Sequence, residues 1–212
     1  MKKKIVISGP ILSRSGYGEM ARFALRSLRR NDEIDIFVVA TNWGNTGNLF
    51  DVTEETQYIN DLIVKTQQII QQTNGQPNFD IAIQVTIPNE WKKMAPINIG
   101  YTAGIETNMI SPAWFEPSMQ MDKIVVISEH AKNGFINTIF GDQNNNNRFK
   151  VTTPVEVCHF PVRDYEETNI DLELKHDFNF LAICQWSPRK NLEQTIINFI
   201  EEFKNEDVGL VL

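Results

Sequence analysis

Residues 4–30 read KIVISGPILSRSGYGEMARFALRSLRR. Lys4–Ser8 is a short β-branched run closed by Gly9-Pro10, the pattern of a buried strand. Ile11–Gly18 is a polar loop carrying Ser13, Ser15, Gly16 and Gly18. From Glu19 to Arg30 the period becomes helical. Met20, Phe23, Ala24 and Leu28 then share one side. Arg22, Arg26, Arg29 and Arg30, at i, i+4, i+7 and i+8, form a basic stripe on another. Strand, glycine-bearing loop and helix in this order open an α/β fold.

The pattern repeats outward from that stretch. Ile34–Ala40, Phe79–Val85, Ile97–Tyr101, Lys123–Ile127, Val155–Cys158, Phe178–Cys184 and Val208–Leu212 read as further strands, the one at Phe178–Cys184 as buried. Glu54–Thr73, ended by Asn74-Gly75, is a long amphipathic helix. Ser111-Pro112 opens a short helix, Ser128 caps a helix over Glu129–Phe140, and Ser187-Pro188 opens one over Arg189–Phe203. The asparagine-rich tip Gly141–Asn147 reads as a loop. Strands apolar from end to end, alternating with helices, imply a doubly wound parallel sheet covered on both faces. The pattern restarts at Asp177 after a segment of low hydrophobicity. Residues 1–165 therefore read as one domain, 166–176 as a linker, and 177–212 as the first βαβ unit of a second. The alternative is that 177–212 adds a strand and helix to the first sheet.

Composition narrows the function classes. Of 212 residues, 42% are hydrophobic and 22% charged, which excludes collagen, coiled coil and wholesale disorder. A net charge of −7 argues against a nucleic-acid partner held through its phosphates. The basic stripe on the first helix reads as a solvated face, with a peripheral membrane contact as the sharper alternative. Cys158 and Cys184 form no CxxC, so a disulfide framework and a cysteine-rich zinc site are both excluded, and buried free thiols are expected. No apolar run reaches the ~18 residues of a membrane span. Lys2–Lys4 before Ile5 resembles a signal-peptide start, but Ser8-Gly9-Pro10 interrupts the apolar run and no cleavage site follows, so a strand and a cytoplasmic chain are expected. His130 is expected at the surface, His159 partly buried and His176 in the linker. Their spacing forms no metal set, and no metal is assigned.

In doubly wound sheets ligands bind beyond the carboxyl ends of the strands. Three such loops carry unusual residues. The first includes Ser15, Gly16, Tyr17 and Gly18, where glycines allow close backbone approach and a helix N-terminus offers free amides to an anion. It is not GxGxxG, so it supports a dinucleotide site only weakly, and a long loop with turn glycines is the plain alternative. The second, Tyr101–Trp114, holds Glu106 among small and apolar residues. Glu106 either binds a hydroxylated ligand or orients its loop as a structural carboxylate. The third, Gln185–Asn191, places Arg189 and Lys190 in the first turn of a helix. Cations there oppose the helix dipole, a placement that makes sense for a bound phosphate, against the alternative of a solvated pair. No nucleophile motif is present, and no residue is singled out as catalytic.

Taken together these motifs resemble the retaining GT-B glycosyltransferases of the glycogen-synthase-like and sucrose-synthase-like group, family 4 type. Ser15-Gly16-Tyr17-Gly18-Glu-Met-Ala-Arg22 is similar to the N-terminal glycine loop and first helix. Gly104-Ile-Glu106-Thr…Pro112-Ala-Trp114 is similar to a W-E-T…P-x-W segment, with Ile105 in place of Trp. Asp122–Ser128 resembles the D-x-V-hydrophobic-P-S element, with Ile127 where Pro is common. His159-Phe-Pro161-Val-Arg-Asp164 stands where the family has P-N-G-V-D, without its glycine. Phe180–Leu192 resembles the first strand and R-K-[GN] turn of the donor domain. The resemblance covers nearly the whole chain. It implies two Rossmann-like domains with an acceptor on the first and a nucleotide sugar on the second. Arg189 and Lys190 would hold the donor diphosphate without a metal, and no other cofactor is implied. The Ser15–Gly18 loop would face the diphosphate or the acceptor, and Glu106 would line the acceptor side. Acceptor choice is expected in the loops Thr41–Asp51 and Ile87–Ala95.

The family's E-x7-E donor element lies beyond Leu212, and the chain stops inside an apolar strand, so a fragment of a longer transferase is expected. The alternatives are a non-catalytic binding module for a phosphorylated or sugar ligand, and a partner subunit that docks its missing half in trans.

Overall fold

The computed structural model describes residues 2–141, 147–169, 171–184 and 186–212. The chain divides into two units, Met1–Val162 and Arg163–Leu212. In the first unit the elements run β1 (Lys3–Gly9), α1 (Gly16–Leu28), β2 (Ile34–Ala40), α2 (Glu54–Gln72), β3 (Ile81–Val85), β4 (Ile97–Thr102), α3 (Phe115–Met119), β5 (Lys123–Val126), α4 (Glu129–Asn137), β6 (Phe140–Gly141), β7 (Arg148–Phe149) and β8 (Val155–Val157). β6 and β7 pair antiparallel. The asparagine tip expected between them falls on residues 142–146, outside the described residues.

Six strands form one parallel sheet in the order β2-β1-β3-β4-β5-β8. The fold is α/β and Rossmann-like. Side chains alternate faces along each strand, so the core clusters locate the helices. Ile7, Ile36, Val38, Val85 and Tyr101 pack with Met20, Leu25, Ile59 and Leu62 of α1 and α2. On the opposite face Ile124, Val126 and Val155 pack with Trp114, Ala131 and Phe135. Val6, Phe37, Phe79 and Ala82 complete that second face.

Polar side chains seal what the ladder leaves open. β2 is an edge strand, whose outward backbone groups would otherwise be unpaired. The Val38 amide donates to Thr66 Oγ1 at 2.8 Å, and Lys65 Nζ donates to the Ile36 carbonyl at 3.1 Å, both from α2. Buried Gln84 and Asn98 pin the β3–β4 connection. Gln84 accepts from the Lys92 amide and donates to its carbonyl, at 3.0 and 2.7 Å. Asn98 Oδ1 accepts from the Met94 and Ala95 amides.

Several expectations are corrected. Helix α1 begins at Gly16, so Gly16–Gly18 are its first turn rather than loop. Its buried stripe is Gly18, Ala21, Arg22 and Leu25, together with Met20. Phe23, Ala24 and Leu28 are only partly buried. Starting the helix three residues earlier brings the small residues Gly18 and Ala21 onto the sheet. Arg22 lies on that stripe, not on a solvated one, and Arg26 is partly buried against Glu55, so the basic stripe is broken. Cys158 is exposed and Cys184 half-buried. Alternation from buried Val155 turns Cys158 to the side of β8 away from α4. His159 is exposed too, its Nδ1 3.2 Å from the Ile127 carbonyl at the strand end.

The second unit contains β9 (Phe178–Leu181), α5 (Leu192–Phe203) and β10 (Val208–Val211). β9 and β10 pair parallel with each other in a two-stranded sheet and add nothing to the six-stranded one. Phe180, Phe199 and Phe203 form the aromatic contact between β9 and α5. The strand expected to be buried at Phe178–Cys184 instead leaves Phe178, Leu181 and Ile183 exposed. Two strands and one helix have too little surface to cover both faces of a parallel pair. Among the described residues no helix is long and apolar enough to cross a membrane.

Candidate functional site

The strand order reverses direction at β1. The chain moves from β1 out to β2 and then returns to the other side of β1 with β3. The loops leaving β1 and β3 at their carboxyl ends thus diverge, and the crevice between them is where open α/β sheets bind ligands. Gly9, the last residue of β1, allows this close approach: a Cβ there would lie 2.7 Å from the Val85 carbonyl oxygen.

The loop from β1 to α1 is held from inside by a buried arginine. Arg22 Nη1 donates to the carbonyls of Ile11 and Ser13 at 2.7 and 3.0 Å. Its Nε donates to Glu19 at 2.9 Å. A guanidinium suits this place because its planar fork serves several acceptors at once. Burial works against the Glu19 carboxylate, but hydrogen bonds from Arg26 and Arg22 outweigh it and hold Glu19 below the ordinary carboxyl value. Gly18 completes the fit. A Cβ on it would stand 2.2 Å from the Ser13 carbonyl oxygen. Ser15 caps α1 by accepting from the Gly18 amide at 3.0 Å. At Gly16 a Cβ would meet nothing within 4 Å, so that position faces open space.

Tyr17 reaches from α1 to the end of β4. Its hydroxyl lies 2.7 Å from Thr102 Oγ1 and accepts from the Ala103 amide at 3.2 Å. Burial pushes the phenol above its ordinary value, against those two hydrogen bonds, and the carboxylates of Glu90 and Glu106 push it further. The two acids follow neighbouring strands at the same end of the sheet. Glu90 follows β3 and accepts from the Thr86 hydroxyl. Glu106 is exposed on the loop after β4. That loop turns at Gly104, with φ +85°, where a Cβ would strike Ala131 at 2.5 Å. It is also tied by the Ile110 amide donating to Thr138 Oγ1 at 3.0 Å.

The loop after β2 joins from the other side. The Thr41 amide donates to the Gly9 carbonyl at 3.0 Å, Arg14 to Gly47 at 2.9 Å and Leu49 to Leu12 at 2.7 Å. Trp43 on this loop rests against Tyr17, their ring centroids 4.4 Å apart.

The first unit thus brings Ser15, Gly16, Tyr17, Gly18 and Glu106 to one end of its sheet. Trp43, Glu90, Thr102 and Arg22 were not singled out from sequence. The signal for Glu90 and Trp43 was their place after strands β3 and β2. Arg22 gave the opposite signal, because helical spacing grouped it with exposed arginines. In the second unit, Arg189 and Lys190 are exposed in a 3-10 turn, Pro188–Lys190, after β9. Asn191 adopts a left-handed conformation, φ 49°, and separates that turn from α5. Arg189 and Lys190 therefore precede the helix rather than lie in its first turn, which is occupied by Leu192 and Glu193. Gln185, the first residue of the expected loop Gln185–Asn191, lies outside the described residues. Among the described residues no group of three or more His, Cys, Asp or Glu side chains is placed to hold a metal ion.

Comparison of the chain with protein-family models, with curated proteins and with solved structures finds no match in any of the three.

Proposed function

We propose that the chain is part of a retaining, nucleotide-sugar-dependent glycosyltransferase of GT-B type, with the acceptor on the first unit and the donor diphosphate at Arg189 and Lys190. The observation that carries the reading is the sign of the crevice. Glu90 follows β3 and Glu106 stands exposed after β4, at the end of the sheet that Tyr17 reaches, while Arg22, the buried cation of the Ser15–Gly18 region, is paired with Glu19. Such a site repels a diphosphate and suits a neutral ligand rich in hydroxyls. This favours the acceptor over the donor at the Ser15–Gly18 loop. The cations of the second unit have the opposite character and suit the phosphates.

In the reaction, the bond from the sugar's anomeric carbon to the diphosphate oxygen breaks. A bond from that carbon to an acceptor oxygen forms, and the acceptor's proton passes to the departing diphosphate oxygen. Arg189 and Lys190 stabilise the negative charge that grows on the leaving nucleoside diphosphate, work that needs preorganised cations rather than a bound metal. The test is release of nucleoside diphosphate from a panel of nucleotide sugars with mixed glycoside acceptors, using the native gene product. Replacing both Arg189 and Lys190 by Ala is expected to lower kcat/KM by about 100-fold or more, the scale of removing charge stabilisation at a leaving group. Unchanged turnover in that variant would overturn the assignment.

A further inference from the structure

We propose that Trp43 is the platform on which a pyranose ring of the acceptor rests, with Tyr17 behind it. The inference deepens the acceptor reading of the crevice and rests on it.

Trp43 is not needed to hold its own loop. The segment from Thr41 to Leu49 is fastened to the β1 loop by backbone bonds at Thr41, Arg14 and Leu49, and by a bridge between Ser13 and Asn48. A further bond from the Thr46 amide to the Trp43 carbonyl closes the turn beneath the indole. A large aromatic that remains partly exposed on a loop so fastened is available for contact outside the fold. One side of the indole packs on Tyr17 with an interplanar angle of 34°. The phenol beneath is itself fixed, because its hydroxyl is engaged by Thr102 and the Ala103 amide. The ring pair is thus an apolar surface, held by these bonds, at the carboxyl end of the sheet. Ligand sites generally combine an apolar surface with a few placed polar groups.

The surroundings select the class of ring. Glu90 and Glu106 stand on the loops after the neighbouring strands β3 and β4, so a nucleotide would bring its phosphates toward two carboxylates. A sugar brings hydroxyls instead, which those carboxylates accept. Asn42, Asn45 and Asn48 are exposed beside Trp43 and supply amide donors and acceptors. Gly16, with open space where its Cβ would be, leaves room at the adjacent helix start.

The test uses the whole chain with its tryptophans labelled with nitrogen-15. Single Trp→Phe variants assign the indole signals of Trp43, Trp91, Trp114 and Trp186. Methyl glucoside, galactoside, mannoside and N-acetylglucosaminide are then titrated in turn. At least one is expected to move the Trp43 signal saturably. Trp43→Leu is expected to weaken that glycoside about tenfold or more while Trp43→Tyr stays within about threefold, because the tyrosine keeps a ring face. Thermal unfolding of both variants confirms that they fold. Two results would overturn the platform: no glycoside moves the Trp43 signal, or Trp43→Leu binds as well as the unaltered chain. If either occurs while nucleotide-sugar turnover still depends on Arg189 and Lys190, the platform fails and the transferase reading stands. If a glycoside moves Trp43 and turnover is absent, the platform stands and the transferase reading fails.

Discussion

At the scale of single residues, two glycines two positions apart, Gly16 and Gly18, do different work. Gly18 is required by contact, since a methyl there would sit 2.2 Å from the Ser13 carbonyl oxygen. Gly16 is free of contact, since nothing lies within 4 Å of its Cβ position. Gly18→Ala should therefore displace the β1 loop and lower stability by about 2 kcal/mol or more, as overpacking a tight contact does. Gly16→Ala should be neutral or stabilising by up to about 1 kcal/mol, because alanine loses less freedom in a helix. Urea unfolding of the two variants checks both signs. Two tyrosines, Tyr101 buried and Tyr17 partly buried, give a pH signature. Burial raises Tyr17, and it pushes Tyr101 up to about 12, with Cys158 adding to the shift. The folded chain holds these protons more tightly than the unfolded chain does. The stability they contribute is full below the ordinary phenol value of 10.0 and is lost as pH rises through the raised folded values. A tyrosinate absorbance titration should show a late phase near 12 that Tyr101→Phe removes.

At the scale of elements, edge strand β2 depends on α2 for its last hydrogen bonds. Thr66 is buried, its hydroxyl donates to Leu62 O at 2.6 Å, and it accepts from the Val38 amide at 2.8 Å. Thr66→Val keeps the shape and removes the acceptor, leaving a buried amide unpaired. The expected cost is about 1–3 kcal/mol, read as a lower urea midpoint with the slope unchanged. Strands were the most legible elements. A parallel strand covered on both faces reads as a mainly apolar run, and Ile34–Ala40, broken only by Asp35, matches to the residue. Helix α1 was less legible because the glycines of its first turn look like loop. Glycine is a poor helix former in isolation, but here Ser15 caps the turn and the loop carbonyls need a backbone close by. Leaving Gly18, Ala21 and Leu25 out of the buried stripe shifted its centre toward Phe23 and Ala24 and put Arg22 on the wrong face. A buried arginine is visible only once its carbonyl partners, Ile11 and Ser13, are located in space.

At the scale of the whole molecule, the two units differ in how fully they cover their apolar surface. Met1–Val162 has helices on both faces of its sheet, whereas Phe178, Leu181, Ile183 and Trp186 of the second unit stand exposed. Residues 161–169 and 171–175 are exposed and carry no regular structure. Brief trypsin treatment should therefore cut first after Arg163 or Lys175 and leave the six-stranded unit intact, as mass spectrometry of the products would show. The opposite order of cleavage would contradict the division. The sequence marked the end of the sheet where the crevice lies, because glycines and an acid gather in loops after strands. It could not show that Tyr17 crosses to Thr102, since that contact spans 85 positions and depends on strand order. On the proposed function, the sugar acceptor and the nucleotide are held by groups of opposite charge. Isothermal titration of the native gene product with nucleotide sugars tests it most directly. Saturable binding of at least one nucleotide sugar is expected, weakened about tenfold or more by Arg189→Ala with Lys190→Ala and little changed by Glu106→Gln. Equal binding in the double cation variant, or no binding of any nucleotide sugar, would contradict it.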